Sequence, residues 1–155
     1  MAEKVLFSWI GDTDLRAAIS DMPLDAPISS TLANFSFDRV ILLCSYPKAR
    51  STPYIEWLRR QTIDAIESYQ ETLVSPVDFE SIFHAADKHL SAFKKANADI
   101  SILLSPGTPA MQAIWILLGK TKYSARFYRS SKEQGAQEVK IPFEISAEYT
   151  PPATK

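Results

Sequence analysis

Two stretches of the sequence hold residue types that can do chemistry on an anion. In ISILLSPGTPAMQAIWILLG, residues 100–119, an apolar run breaks at Ser105, Pro106, Gly107 and Thr108 and resumes at once. Thr108 is a good helix N-cap, and Pro109 falls at the first helical position, where its missing N–H costs nothing. Gly107 permits an unusual backbone angle or a close approach. The amides of Ala110, Met111 and Gln112 are then expected to point out of the helix start, a place that favours phosphate or carboxylate. The hydroxyls of Ser105 and Thr108 and the side-chain amide of Gln112 add groups for a sugar or a base edge. The same residues also make an ordinary capped turn in a buried core, and the sequence leaves both readings open. It has no P-loop lysine and no G-x-G-x-x-G, and its four glycines are too few for a dinucleotide fingerprint.

The second stretch, CSYPKARS at 44–51, sets Cys44 and Arg50 between a strand and a helix. Cys-dependent phosphatases pair a thiolate nucleophile with a phosphate-binding arginine in this way. That chemistry needs a cradle of loop amides. Pro47 removes one, no glycine lets the loop wrap, and Cys44 reads equally as a small buried strand residue. A third stretch, SWIGDTDL at 8–15, offers Ser8, Gly11, Asp12 and Thr13, with Asp12 or Thr13 able to cap a helix. Trp9 suits either the core or stacking on a base. Lys48, Arg50, Arg126, Arg129 and Lys132 fall near strand ends as phosphate partners, with solvated surface charge as the plain alternative. His84 and His89 are five apart on one helix, which is not the spacing of a shared metal face. No metal and no cofactor are expected.

These residues need a scaffold, and the hydrophobic pattern supplies one. KVLFSWI (4–10), DRVILLC (38–44), ISILL (100–104) and YSARFYRS (123–130) read as strands, ETLVS (71–75) as a weak strand and EVKIPFEI (138–145) as a last one. PISSTLANF is predicted to be a helix opening at Pro27. A longer helix is predicted over 52–69, with Thr52 as N-cap, Pro53 in its first turn, and Ile55, Leu58, Ile63 and Ile66 near one face. Another spans 77–97, with Phe79, Ile82, Phe83, Ala86, Leu90 and Phe93 at helical spacing and Lys94 and Lys95 suiting its C-terminus. The order β-α-β-α-β-α-β-α-β-β predicts an α/β fold, a Rossmann-like, mostly parallel sheet with helices on both faces. Pro142 puts the last strand at a sheet edge. Ligands in such sheets bind outside the carboxyl ends of the strands. The loops SWIGDTDL, CSYPKARST, SPVDF and SPGTPAM are therefore expected on one rim.

Length and composition set the outer bounds. The chain has 155 residues, 46% of them hydrophobic, enough for one domain with a real core. The formal net charge of -1 gives no field for duplex DNA, so direct DNA binding is not expected. The single cysteine fits a reducing cytoplasm, and no leader or membrane span is read. The polar, Pro-rich end, residues 149–155, reads as the start of a linker. The helix at 109–119 is apolar nearly all round, and a second copy of itself is the natural cover, which predicts a homodimer through that helix.

On these residues a family resemblance can be stated. VDFESIFHAADKHLSAFKKANADISILLSPGTPAMQAIWILLGKTKYSARFYRSS, with Asp78-Phe79, Gly107-Thr108 and Arg129-Ser130-Ser131, resembles the N-terminal regulatory domains of sigma-54-dependent transcriptional activators of RNA-repair operons. Those domains are similar to the CRISPR-associated Rossmann fold, CARF. Ile141-Pro142-Phe143 and SWIGDTDL extend the match over most of 1–148. The resemblance implies a dimeric sensor domain, 1–148, that binds a cyclic oligonucleotide, such as a cyclic oligoadenylate, or an RNA end. It implies ligand contacts at Ser8, Trp9, Gly11, Asp12, Thr13, Ser105, Gly107, Thr108, Met111 and Gln112. Many CARF proteins carry Lys or Arg after Gly-Thr, whereas Pro109 stands here and a phosphate contact is lost. The activators continue into an ATPase module and a helix-turn-helix, neither of which is in this sequence. Some CARF proteins cleave their own cyclic ligand; Ser8, Thr13 or Ser105 could position the ribose hydroxyl, but no base is apparent, and no catalytic residue is assigned.

Overall fold

The computed structural model of the chain describes residues 2–142. The proposed linker at 149–155 and Phe143 lie outside them. One sheet holds six strands in the order β3-β2-β1-β4-β5-β6. They are β1 (Lys4–Trp9), β2 (Arg39–Cys44), β3 (Ala65–Gln70), β4 (Asp99–Leu103), β5 (Arg126–Ser131) and β6 (Gly135–Val139). The first five run parallel, and β6 returns antiparallel beside β5. The helices are α1 (Asp12–Ser20), α2 (Pro27–Asn34), α3 (Lys48–Arg59), α4 (Phe79–Lys95) and α5 (Pro109–Thr121), with a 3-10 turn at Pro23–Asp25. This is the α/β, Rossmann-like architecture that the alternating pattern predicted.

Each face of the sheet carries its own core, because successive strand residues point to opposite sides. Val5, Phe7, Trp9, Ile41 and Leu43 pack with Leu90, Ile114 and Trp115 of α4 and α5. Leu6, Val40, Leu42 and Cys44 pack with Leu15, Ile28, Tyr54 and Leu58 of α1, α2 and α3. Trp9 and Trp115 are both fully buried, with ring centroids 6.5 Å apart. Gly119 is demanded by this packing: a Cβ there would come within 2.5 Å of the Phe127 ring. The helix α5 buries Ala110, Met111, Ile114, Trp115, Leu118 and Gly119, while Leu117 stays 41% exposed. Within one chain, then, this apolar helix is covered on one side and not on both.

Three element bounds differ from the sequence reading. The helix expected over 52–69 is two elements. α3 starts at Lys48, so Pro53 lies inside it and Thr52 is not its cap. Its later part is β3, where Ile66 enters the same core as Ile55 and Leu58, but from a strand. Ile63 is wholly exposed. The local cause is a turn in which Thr62 Oγ1 accepts from the Asp64 amide at 3.1 Å, breaking the helix before the free edge of β2 pairs with 65–70. ETLVS is consequently loop. The last strand ends at Val139, before Pro142, and a hairpin sets its place: Gly135, at φ 70°, pairs with Ser131 across a short loop. Its edge position and antiparallel sense follow.

One buried carboxyl ties the first helices together. Asp14 has no solvent exposure; its Oδ2 accepts from the Gly11 amide and its Oδ1 from the Ile28 amide, each at 3.0 Å. It thus caps α1 from within and reaches the first turn of α2. Burial outweighs the two amides and pushes its pKa up to about 7. A folded-state pKa above the unfolded one means that the folded chain holds the proton more tightly. The stabilisation is complete below about pH 3.8 and is lost as pH rises through about 7. We therefore expect urea-unfolding stability of the wild type, measured against Asp14→Asn, to fall by on the order of 3 kcal/mol between pH 4 and pH 8. A difference that stays flat over that range would mean an ordinary carboxyl.

Candidate functional site

β1 and β4 are neighbours whose crossovers leave in opposite directions, toward β2 and toward β5. The crevice at such a switch point is where ligands bind in open α/β sheets. A cleft of about 430 Å3 opens there. Its lining draws on all four loops expected on one rim: Ile10 to Asp14 with Arg16, Ser45 to Pro47, Pro76, and Ser105 to Thr108 with Met111, joined by Pro27 at the start of α2.

Two glycines let the central loops meet. A Cβ on Gly11 would stand 3.0 Å from the Gly107 amide nitrogen. Gly107 itself adopts φ 91°, a region that side chains avoid, and a Cβ there would strike Met111 Sδ at 2.5 Å. The helix starts beside them differ in what they leave open. Gly11 caps α1 with no side chain, so the first-turn amides of Asp12 and Thr13 meet no capping oxygen from it. At α5 the Thr108 hydroxyl accepts from the Met111 amide at 3.3 Å, and the Thr108 carbonyl accepts from Gln112 at 3.1 Å. Of the three amides expected to face a ligand, only that of Ala110 is not taken by the cap. The Thr108 hydroxyl also donates to the Pro76 carbonyl at 2.6 Å. Ser105 Oγ accepts from the Ser130 amide at 2.7 Å, tying the loop to β5.

Charge at the mouth is organised around Asp12. Its Oδ2 is 2.9 Å from Arg16 Nε and its Oδ1 3.0 Å from Arg50 Nη2. The hydrogen bond from Arg50, with Arg16 adding its charge, holds the Asp12 carboxyl below the usual range. The Arg50 guanidinium lies 5.0 Å from the centre of the Tyr46 ring.

Of the residues expected to bind a ligand, Gly11, Asp12, Thr13, Ser105, Gly107, Thr108 and Met111 line the cleft. Two lie in the core and not in the lining. Trp9 is a core residue facing Trp115, so its ring is not free to stack on a base. Ser8 is fully buried, its hydroxyl donating to the Trp9 carbonyl at 2.9 Å. Gln112 and Arg129 are exposed but outside the lining, and Arg50 stands behind Asp12. Cys44 is no activated nucleophile: it is fully buried, and burial pushes its thiol up. With Arg50 turned to Asp12, the phosphatase arrangement is not formed. Arg16 and Tyr46 were missed. Tyr46 lay within a loop placed on the rim, but Cys44 and Arg50 drew the chemical reading of that loop. Arg16 shows only through its i, i+4 spacing from Asp12. Among the described residues no group of three or more His, Cys, Asp or Glu could hold a metal ion, and no helix is long and apolar enough to cross a membrane.

No protein-family model and no curated protein matches the chain. Solved structures do, 32 chains in all. One is Enterococcus italicus Csm6 bound to cyclic hexa-2'-fluoro-hexa-dAMP, with a TM-score of 0.71 and 24% identity over 88% of this chain and 35% of that one. Another is protein VC1899 from Vibrio cholerae, with a TM-score of 0.57 and 11% identity over 82% of this chain and 30% of that one. The chain spans about a third of the length of either structure. At these identities the likeness is one of fold, the α/β, Rossmann-like sheet described above.

Proposed function

We propose that this chain is a ligand-sensing domain that binds a cyclic oligonucleotide, a cyclic oligoadenylate first among candidates, or an RNA end in the cleft at its carboxyl rim. One observation carries the reading. The cleft lies at the switch point of a fold shared with Csm6, whose solved structure holds a cyclic hexa-adenylate analogue. Glycine loops, uncapped α1 amides and two nearby arginines suit phosphate. The domain acts as a homodimer through α5, in the cytoplasm, as the regulatory part of a bacterial transcriptional regulator whose effector module reads the bound state. That context rests on the sequence resemblance. For the dimer, the support is exposed apolar side chains: Leu117 on α5, and Val74, Val77 and Phe79 on either side of the Pro76 carbonyl that Thr108 holds.

A thermal-shift screen over cyclic oligoadenylates of several ring sizes and RNA ends bearing cyclic phosphates tests the reading. A hundredfold excess over Kd is expected to raise Tm by about 5–10 °C. Gly11→Val, which fills the contact with Gly107, should lose that shift; an undiminished shift would remove the cleft as the site. The ligand should be recovered intact by chromatography, and a linear product would instead identify a ring-cleaving nuclease. Separately, Leu117→Glu is expected to convert a dimer to a monomer in sedimentation equilibrium while leaving the monomer's fold intact. A wild type that stays monomeric at tens of micromolar would rule the dimer out.

A further inference from the structure

We propose that Arg16 and Arg50 form a phosphate subsite at the mouth of the cleft, and that the Asp12 carboxylate occupies this subsite until a ligand phosphate takes its place. The inference rests on the functional reading above and goes beyond it by assigning a gate and its sign.

The geometry is that of a bridged anion. The two oxygens of one carboxylate go to two different guanidiniums, Arg16 at 2.9 Å and Arg50 at 3.0 Å. A phosphodiester offers the same pair of terminal oxygens to the same two donors. The arginines come from different helices, α1 and α3, and Asp12 bridges them. Tyr46 supports one of them, with the Arg50 guanidinium 5.0 Å from its ring centre. Asp12 and Arg16 both line the cleft, and the α1 amides start beside them.

The carboxylate is also an obstacle. The two arginines and the α1 amides favour an anion, whereas Asp12 carries a charge of the same sign as the ligand and stays ionised because the arginines favour that form. Its ion pairs are half-exposed, with side-chain accessibilities of 48% for Asp12, 69% for Arg16 and 42% for Arg50. Exposed pairs of this kind are weak, so displacement is easy for an incoming phosphate. A carboxylate that instead met the ligand directly, as an acceptor for a ribose hydroxyl or a base amine, would help binding. The two roles predict opposite signs.

The experiment measures calorimetric affinity for two probes, cyclic hexa-adenosine monophosphate and inorganic pyrophosphate, at low and at high salt. Asp12→Asn is expected to bind both about three- to tenfold more tightly than the wild type at low salt, with the gain shrinking as salt screens the lost repulsion. Adding Arg16→Gln and Arg50→Gln should abolish the gain and bring affinity below that of the wild type. Glu56→Gln, which removes one negative charge from the neighbouring groove between α1 and α3, should leave affinity unchanged. Asp12→Ser, with the unliganded Tm as a check on folding, is the second variant at the gate. Weaker or unchanged binding in both Asp12 variants, or an equal gain in Glu56→Gln, overturns the proposal. Failure of the wild type to bind the cyclic hexa-adenylate would count against the functional reading, while the pyrophosphate comparison would still decide the subsite.

Discussion

The carboxyl rim of this domain depends on one buried side chain. Asp14 takes an amide from the loop after β1 and another from the first turn of α2. Without it, two N–H groups would be left unpaired in the interior, a cost of about 1–3 kcal/mol each. The carboxyl fixes Gly11, and Gly11 is in contact with Gly107, so the two central loops take their spacing from this tie. The cleft is the space left once those loops are set. Its walls are therefore determined from inside the core, not by the loops' own flexibility. A high cost of ionisation is the consequence of putting a carboxyl where only its hydrogen bonds are wanted.

The charge pattern on the outer side of the same helix turn is of a different kind. Asp12 and Asp14 are two residues apart, yet one is half-exposed between two guanidiniums and the other is sealed beneath the loop. Their pKa values move in opposite directions, Asp12 down by its arginine and Asp14 up by burial. Two identical side chains thus take two roles. The inner one builds the loop and the outer one manages its charge.

Much of this was legible in the sequence, for reasons that can be named. The continuous apolar runs VILLC and ISILL marked strands covered on both faces, and they sit in the middle of the sheet. Thr108 and Pro109 marked a helix start, because capping is a local matter. The rim loops followed from strand direction alone. What could not be read was anything decided between distant segments. The spacing of Ile55, Leu58 and Ile66 fitted a helix face, but the pairing of 65–70 with β2 overrode it. Trp9 could be core or platform until Trp115 was seen to face it. Nothing in the sequence singled out Asp14, because its partner Ile28 is fourteen residues away. A hairpin turn set by Gly135 fixed the last strand earlier than its proline suggested.

The Thr108 hydroxyl has a consequence of its own. It accepts from Met111 and donates to Pro76, so its only proton is already committed. It acts as a hinge pin between the start of α5 and the segment that carries Val77 and Phe79. Any ligand that shifts the 105–108 loop must carry that apolar segment with it or break the bond. If the proposed ligand shifts that loop, reciprocity requires that a partner covering the segment change affinity in the cleft by the same factor. One hydroxyl thereby joins the exposed apolar segment to a wall of the cleft.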